Sequence, residues 1–385
     1  MLDESIISSF DVLKGSYQHP VWDALWNNRS IGRIALAVWP NAERIQRLKE
    51  RISIDLGEPE YKPECWTRDW QTALTDQLYA VLASMELPGD RFPAPAVPRS
   101  VHAQSQGFAD IFGCRVEPQP DGNYYAYPLP RDPAVIDDVQ PLPLEQSSYW
   151  GAVEWIRYAQ KATDGRIPFR VAVLTGPFDT ANYLLGTTTL LEWVYTEPET
   201  VHRLLDKITN TMIGMIHAQM EAAGGSLATG HFSCMRGGFD LCSEVRALLS
   251  QEIYEEFEAP YLRRIGEQLG PYGIHSCGSW ERTIPSALSD PNLRAMQGQI
   301  KENDLATLCS MADGKLTLSV GPSMNVHTHY TWPDTESYLR HVLTTVPDTQ
   351  PFETWVMEND LPLWMRLHSE IRRQEFALAN PLNNA

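Results

Sequence analysis

The sequence predicts a (β/α)8 TIM barrel with an irregular N-terminal extension, on three observations. From about residue 165 onward, apolar runs of strand length alternate with amphipathic helical stretches, the pattern of parallel βαβ units joined right-handedly. The run RVAVLTG (170–176) is continuously apolar and β-branched, as strands covered on both faces are. No GxGxxG or GxxxxGK[ST] follows any strand, which removes the nucleotide-binding open sheets, and the number of repeats favours a closed barrel. At 385 residues the chain is long enough for one large barrel and an extension.

Residues 1–105 read as the extension. Within them IALAVWP (34–40) is a candidate first barrel strand, and the proline-rich PGDRFPAPAVPRS (88–100) reads as a loop. Residues 106–385 form the barrel. After RVAVLTG, the stretch 198–225 is a long helix with Val201, Leu204, Leu205, Ile208 and Met212 on one face and a Gly-Gly stop. SLATGHF (226–232) is the next strand. SQEIYEEFEAPYLRRIGEQLG (250–270) is a helix opened by a Ser N-cap and running around Pro260. YGIHSCG (272–278) is a short strand and ERTIPSALSD a helix broken at Pro285. LRAMQGQI and KLTLSVGP are strands flanking a helix in DLATLCSMAD. TESYLRHVLTTV is a helix, PFETWVM the last strand, and LPLWMRLHSEIRRQEFALA the closing helix.

Charge narrows the partners. Lysine plus arginine number 31 against 49 for aspartate plus glutamate, a net charge of -18, which repels phosphate backbones and anionic lipid. Neither nucleic acid nor membrane is expected as a partner. No run approaches the roughly 20 apolar residues of a membrane helix. The N-terminus lacks a basic start followed by an apolar run, and the six cysteines are scattered, so a reducing cytoplasm is expected. Several of the 12 tryptophans lie between residues 21 and 70, where core packing or a subunit contact is the expected use.

The sharpest local signal is Ile274-His275-Ser276-Cys277-Gly278. On a strand, residues i and i+2 share a face, so His275 and Cys277 point the same way at the strand's carboxyl end, where barrel active sites lie. An imidazole beside a thiolate suits Zn²⁺. Carboxylates at other strand ends are candidate further ligands or general bases: Glu302, Glu353 and Glu358, with Asp240 and Glu244 in GGFDLCSEVR. Gln297 and Gln299, with Phe178 and Asp179 after RVAVLTG, are expected to border a substrate pocket. His327 and His329, an HxH after KLTLSVGP, face the same mouth as substrate or metal contacts. Cys309 falls inside a helix and reads as structural. No GxSxG elbow is present.

Several segments resemble the uroporphyrinogen decarboxylase superfamily, and most closely its zinc-dependent corrinoid methyltransferase branch. They are GPFDTANYLLG (176–186), EPETVHRLLDKIT (197–209), FDLCSEVRALLSQEIYEEFEAPYLRRI (239–265), IHSCG (274–278) and DIFGCRVEPQPDGNYYAYPL (110–129). The resemblance covers about residues 105–375 and implies a barrel with a deep pocket at its carboxyl mouth. It also implies zinc held by His275 and Cys277. The branch's later cysteine is absent around PFETWVM, where Glu353 or Glu358 stands nearest, and Glu358 is taken as the third ligand. The implied reaction moves a methyl group between a small methylated donor and a thiol or a corrinoid. Because no DxHxxG cobalamin signature is present, the corrinoid is expected on a separate protein. Asp240, Glu244, His327 and His329 are the expected catalytic groups. Two other readings stand beside this one: a metal-independent decarboxylase of a tetrapyrrole or other carboxylate, and a barrel that binds a corrinoid or tetrapyrrole without turning it over.

Overall fold

The structure is a computed structural model and describes residues 10, 20–56, 70–98, 104–120, 123–225, 227–299, 302–321 and 332–373. Strand β1 (Ala35–Trp39) is followed by a small antiparallel hairpin of β2 (Arg115–Pro118) and β3 (Tyr124–Tyr127). The main strands then run β4 (Leu174–Thr175), β5 (Phe239–Cys242), β6 (Tyr272–Ser276), β7 (Leu293–Gln299), β8 (Thr317–Gly321) and β9 (Phe352–Met357). They form one seven-stranded sheet in the order β1-β9-β8-β7-β6-β5-β4, and every pairing in it is parallel. All carboxyl ends therefore lie on one rim, and β1 stands beside the last strand, as in a sheet that curls back on itself.

The helices follow their apolar stripes. Pro198–Ala222 buries Val201, Leu204, Leu205, Ile208 and Met212, and extends the stripe by one turn through Met215 and Ile216. Ser250 caps the next helix by accepting from the Ile253 N–H. That helix breaks at Glu258, giving Gln251–Phe257 and Ala259–Leu269. Pro260 has no N–H to carry the ladder through, and Glu258 turns to φ −123°, ψ −53°. The early tryptophans pack inward: Trp22 is fully buried, edge-on to Phe92 at 4.9 Å, and Trp70 lies in the core. Among the described residues, no helix is long and apolar enough to cross a membrane.

Four segments differ from their sequence reading. RVAVLTG ladders only at Leu174–Thr175, joined to Leu241–Cys242, and SLATGHF contributes a single parallel bridge between Ala228 and Arg170. The cause is Arg170, 5% exposed, whose guanidinium gathers the carbonyls of Phe92, Ala94, Thr229 and Phe232. The next full strand is instead FDLC, which was read as a strand-end loop. The proline-rich loop runs between β1 and residue 170. Asp90 N–H bonds Leu36 O at 2.7 Å, and Arg170 N–H bonds Pro95 O at 2.9 Å. Pro93 and Pro95 have no N–H to donate, so the segment joins by single bonds rather than a ladder. ERTIPSALSD forms a 3₁₀ turn (Glu281–Thr283) and one helical turn (Ile284–Ala287) in place of a longer helix.

Candidate metal centre

His275 lies near the end of β6 and Cys277 directly follows the strand, with His275 Nε2 3.3 Å from Cys277 Sγ. The neighbouring strand supplies a third group. Glu244 follows β5 by two residues; its Oε1 is 3.3 Å from His275 Nε2, and its Oε2 accepts the Cys277 N–H at 2.7 Å. One ligand atom from each of the three lies within 4.8 Å of the other two. Asp179, at the start of the helix after β4, holds Glu244 in place by accepting the N–H groups of Glu244 (2.6 Å) and Val245 (2.8 Å). Burial, then the nearby Glu258, pushes the Asp179 carboxyl well above its usual range.

The far side of His275 is equally determined. Successive register partners Glu353, Ser319, Gln297, His275 and Cys242 form one row across β9, β8, β7, β6 and β5. Glu353 accepts the N–H groups of Ser233 and Cys234 and the Ser319 hydroxyl. Gln297 donates its amide N–H to the His231 carbonyl at 2.6 Å, which turns its Oε1 toward His275 Nδ1 at 2.8 Å. Nδ1 is therefore the protonated nitrogen, and Nε2 faces Glu244 and Cys277. A hydrogen bond to the far ring nitrogen fixes a histidine's tautomer and ring plane in this way.

A second histidine lies flat on the first: the His231 and His275 rings are 4.4 Å apart and 5° from parallel. Asp240, buried in β5, accepts the His231 ring N–H and the backbone N–H groups of Gly230 and His231. His231 Nε2 then stands 3.8 Å from Cys242 Sγ.

The electrostatics follow from that packing. Burial alone would lower the His275 pKa, but the Cys277 and Glu244 contacts outweigh it and raise it to about 10. Burial would raise Glu244, and the His275 contact outweighs it and holds the carboxyl below its usual value. The Cys242 thiol is held well above its usual value, first by burial and then by Glu244. The trio is a nitrogen, a sulfur and an oxygen converging on one point.

The structure brings together His275, Cys277 and Glu244 and redistributes the other predicted groups. Glu358 does not join them. It sits in the turn after β9, its carboxylate held by Arg44 at 2.6 and 2.8 Å and by the Asn41 N–H at 3.2 Å. Glu353 and Asp240 spend their oxygens on backbone N–H groups and neighbouring side chains, which makes them supports of the centre rather than ligands. Phe178 is fully buried and Asp179 is 2% exposed with both oxygens bonded, so neither borders an open pocket. Gln297 has both amide ends engaged, by His275 in the row and by the His231 carbonyl, while Gln299 closes β7 one step nearer the rim on the same face. Cys309 is buried in its helix, where burial pushes its thiol up to about 12. His327 and His329 lie outside the described residues. Sequence reasoning missed His231 and Cys242. Reading FDLC as a strand would have put Asp240 and Cys242 on one face by period-two alternation.

The site and the sheet can now be set beside known proteins. The chain is 26% identical over 185 residues to a methylated-thiol–coenzyme M methyltransferase of Methanosarcina mazei, covering 46% of each protein. It is 31% identical over 141 residues to a uroporphyrinogen decarboxylase of Anaeromyxobacter dehalogenans, covering 35% of this chain and 36% of that one. The matched stretches span less than half the length of these relatives. A methyltransferase from Methanosarcina mazei of known structure superposes with a TM-score of 0.60 over 91% of this chain and 97% of that one. At 13% identity this speaks for a shared fold alone. A family model described as uroporphyrinogen decarboxylase (URO-D) matches residues 107–299, a span that holds Asp179, His231, Glu244, His275 and Gln297. The chain belongs to the uroporphyrinogen decarboxylase (URO-D) family.

Proposed function

We propose that the chain is a zinc-dependent methyltransferase. It moves a methyl group between a small methylated donor, of methoxy or methylamine type, and a corrinoid protein or a thiol. The observation that carries this reading is the convergence of Glu244, His275 and Cys277. Zinc bonds of about 2.0–2.3 Å to O, N and S set ligand atoms roughly 3.5 Å apart around a tetrahedron. Both separations from His275 Nε2, to Glu244 Oε1 and to Cys277 Sγ, are 3.3 Å, so the donor set fits that ion in size and in softness. Bound there, zinc would supply Lewis acidity toward a donor heteroatom or hold a thiol as thiolate.

The protein's own part is orientation. Gln297 keeps the Nδ1 proton of His275 and leaves Nε2 as the donor atom. Asp179 fixes the loop that carries Glu244. The His231 ring, anchored by Asp240, walls one side of His275 and keeps its plane. The methyltransferase among the curated relatives supports the reaction class.

The test is metal content. About one zinc per chain is expected in protein purified without chelator or affinity-tag histidines, with loss in His275→Ala, Cys277→Ala and Glu244→Gln. Absence of metal from the wild type overturns the reading. The relatedness to uroporphyrinogen decarboxylases favours a second reading, metal-independent decarboxylation of a carboxylate substrate. Carboxylate loss in metal-free protein would select it.

A further inference from the structure

Resting on the metal-centre reading, we propose that Cys242 is a fourth ligand. The ion would then be held by two i, i+2 pairs on adjacent strands, Cys242 with Glu244 from the end of β5 and His275 with Cys277 from the end of β6. The two segments, Cys242-Ser243-Glu244 and His275-Ser276-Cys277, leave parallel strands whose register runs to Cys242 and His275. Cys242 is the Cα partner of His275, the Ser243 N–H bonds the His275 carbonyl at 2.7 Å, and the Cys277 N–H bonds Glu244. Cys242 and His275 are neighbours on one face of the sheet, the turns after them bring Glu244 and Cys277 to His275, and Ser243 turns away to Glu258. Three donor side chains, Glu244, His275 and Cys277, already meet on the rim, and Cys242 is the strand neighbour of His275 on that face.

Exposure sets Cys242 apart from the structural cysteines. Among the described cysteines, Cys114, Cys234 and Cys309 are buried, whereas Cys242 and Cys277 are part-exposed, and these two lie at the ends of neighbouring strands. Cys242 Sγ is already beside an imidazole nitrogen, His231 Nε2 at 3.8 Å, on a ring stacked against His275. The backbone at Cys242 is fixed, since its carbonyl accepts the Gly176 N–H at 2.6 Å. With that backbone fixed, the proposed coordination asks for movement of the Cys242 side chain and not of β5. On binding, the metal–sulfur bond replaces the S–H bond and the proton leaves to solvent.

The experiment is cobalt(II) titration of the full chain, reading the near-ultraviolet thiolate-to-cobalt charge-transfer band. It is run on wild type, Cys242→Ser, Cys277→Ser and the double variant, with Cys242→Ala and far-ultraviolet circular dichroism as controls for folding. The expected result is a wild-type band about halved in either single variant and absent in the double, with cobalt binding at least about tenfold weaker in Cys242→Ser. Zinc should also protect both Cys242 and Cys277 from iodoacetamide, read by peptide mass spectrometry. A band lost only with Cys277, and wild-type intensity and affinity in Cys242→Ser, overturns the role of Cys242 and leaves the metal-centre reading intact. No band in any protein overturns both.

Discussion

Gln297→Leu tests whether the row behind His275 sets its chemistry. The substitution nearly keeps side-chain volume and removes two contacts: the Oε1 acceptor 2.8 Å from His275 Nδ1, and the N–H donor 2.6 Å from the His231 carbonyl. Each leaves a part-buried polar group without its partner, at about 1–3 kcal/mol apiece, so a loss of roughly 2–6 kcal/mol in unfolding free energy is expected. The more telling effect is on the metal. Freed from Gln297, His275 can adopt the other tautomer or rotate, and second-shell losses of this kind weaken metal binding about 10–100-fold. That is about 1.4–2.7 kcal/mol in binding, separable from the stability loss. Gln297→Glu keeps the acceptor toward Nδ1 but sets a carboxylate against the His231 carbonyl. It should lose stability while holding zinc better than the leucine variant. The assay is zinc competition against a chromophoric chelator, with urea unfolding of the same samples. Equal zinc affinity in wild type and Gln297→Leu, alongside the predicted destabilisation, would show that Gln297 is packing and that His275 takes its orientation from elsewhere.

Glu244→Gln is expected to lose most metal while Glu358→Gln keeps it, measured by elemental analysis; the reverse would restore Glu358 as the ligand. Arg170→Met removes the guanidinium donors from four main-chain carbonyls, of which Phe92 and Phe232 keep a second donor, and should cost on the order of 3–5 kcal/mol or prevent folding, measured by chemical denaturation; a loss below about 1 kcal/mol would refute its role as the stitch between residues 92–94 and 229–232. Gly298→Ala puts a Cβ 2.3 Å from Trp280 Nε1, a ring that is 1% exposed, so overpacking of about 1–3 kcal/mol is expected in the same measurement. An unchanged midpoint would mean that Trp280 has room to move.

What the sequence disclosed and what it hid divide along a physical line. His275 and Cys277 were legible because two residues apart on one short strand is a statement about a single segment, and alternation alone decides the face. The helix over Pro198–Ala222 was legible for the same reason, since its stripe repeats within itself. Glu244 was only one carboxylate among several, because its pairing with Cys277 depends on the register between β5 and β6, which no single segment encodes. Glu358 looked equivalent until Arg44, more than 300 residues earlier, claimed its carboxylate. Cys242 and His231 were hidden by a different cause. A buried arginine in the preceding run and prolines in the segment beside it replace ladder bonds with single ones, so the strand signal moved from SLATGHF to FDLC. Once FDLC is a strand, Asp240 must face as Cys242 does, and the His231 ring, gripped by Asp240, is carried to His275. The centre is thus assembled by register between strands, and variants that shift β5 against β6 should abolish it even when every ligand residue is retained.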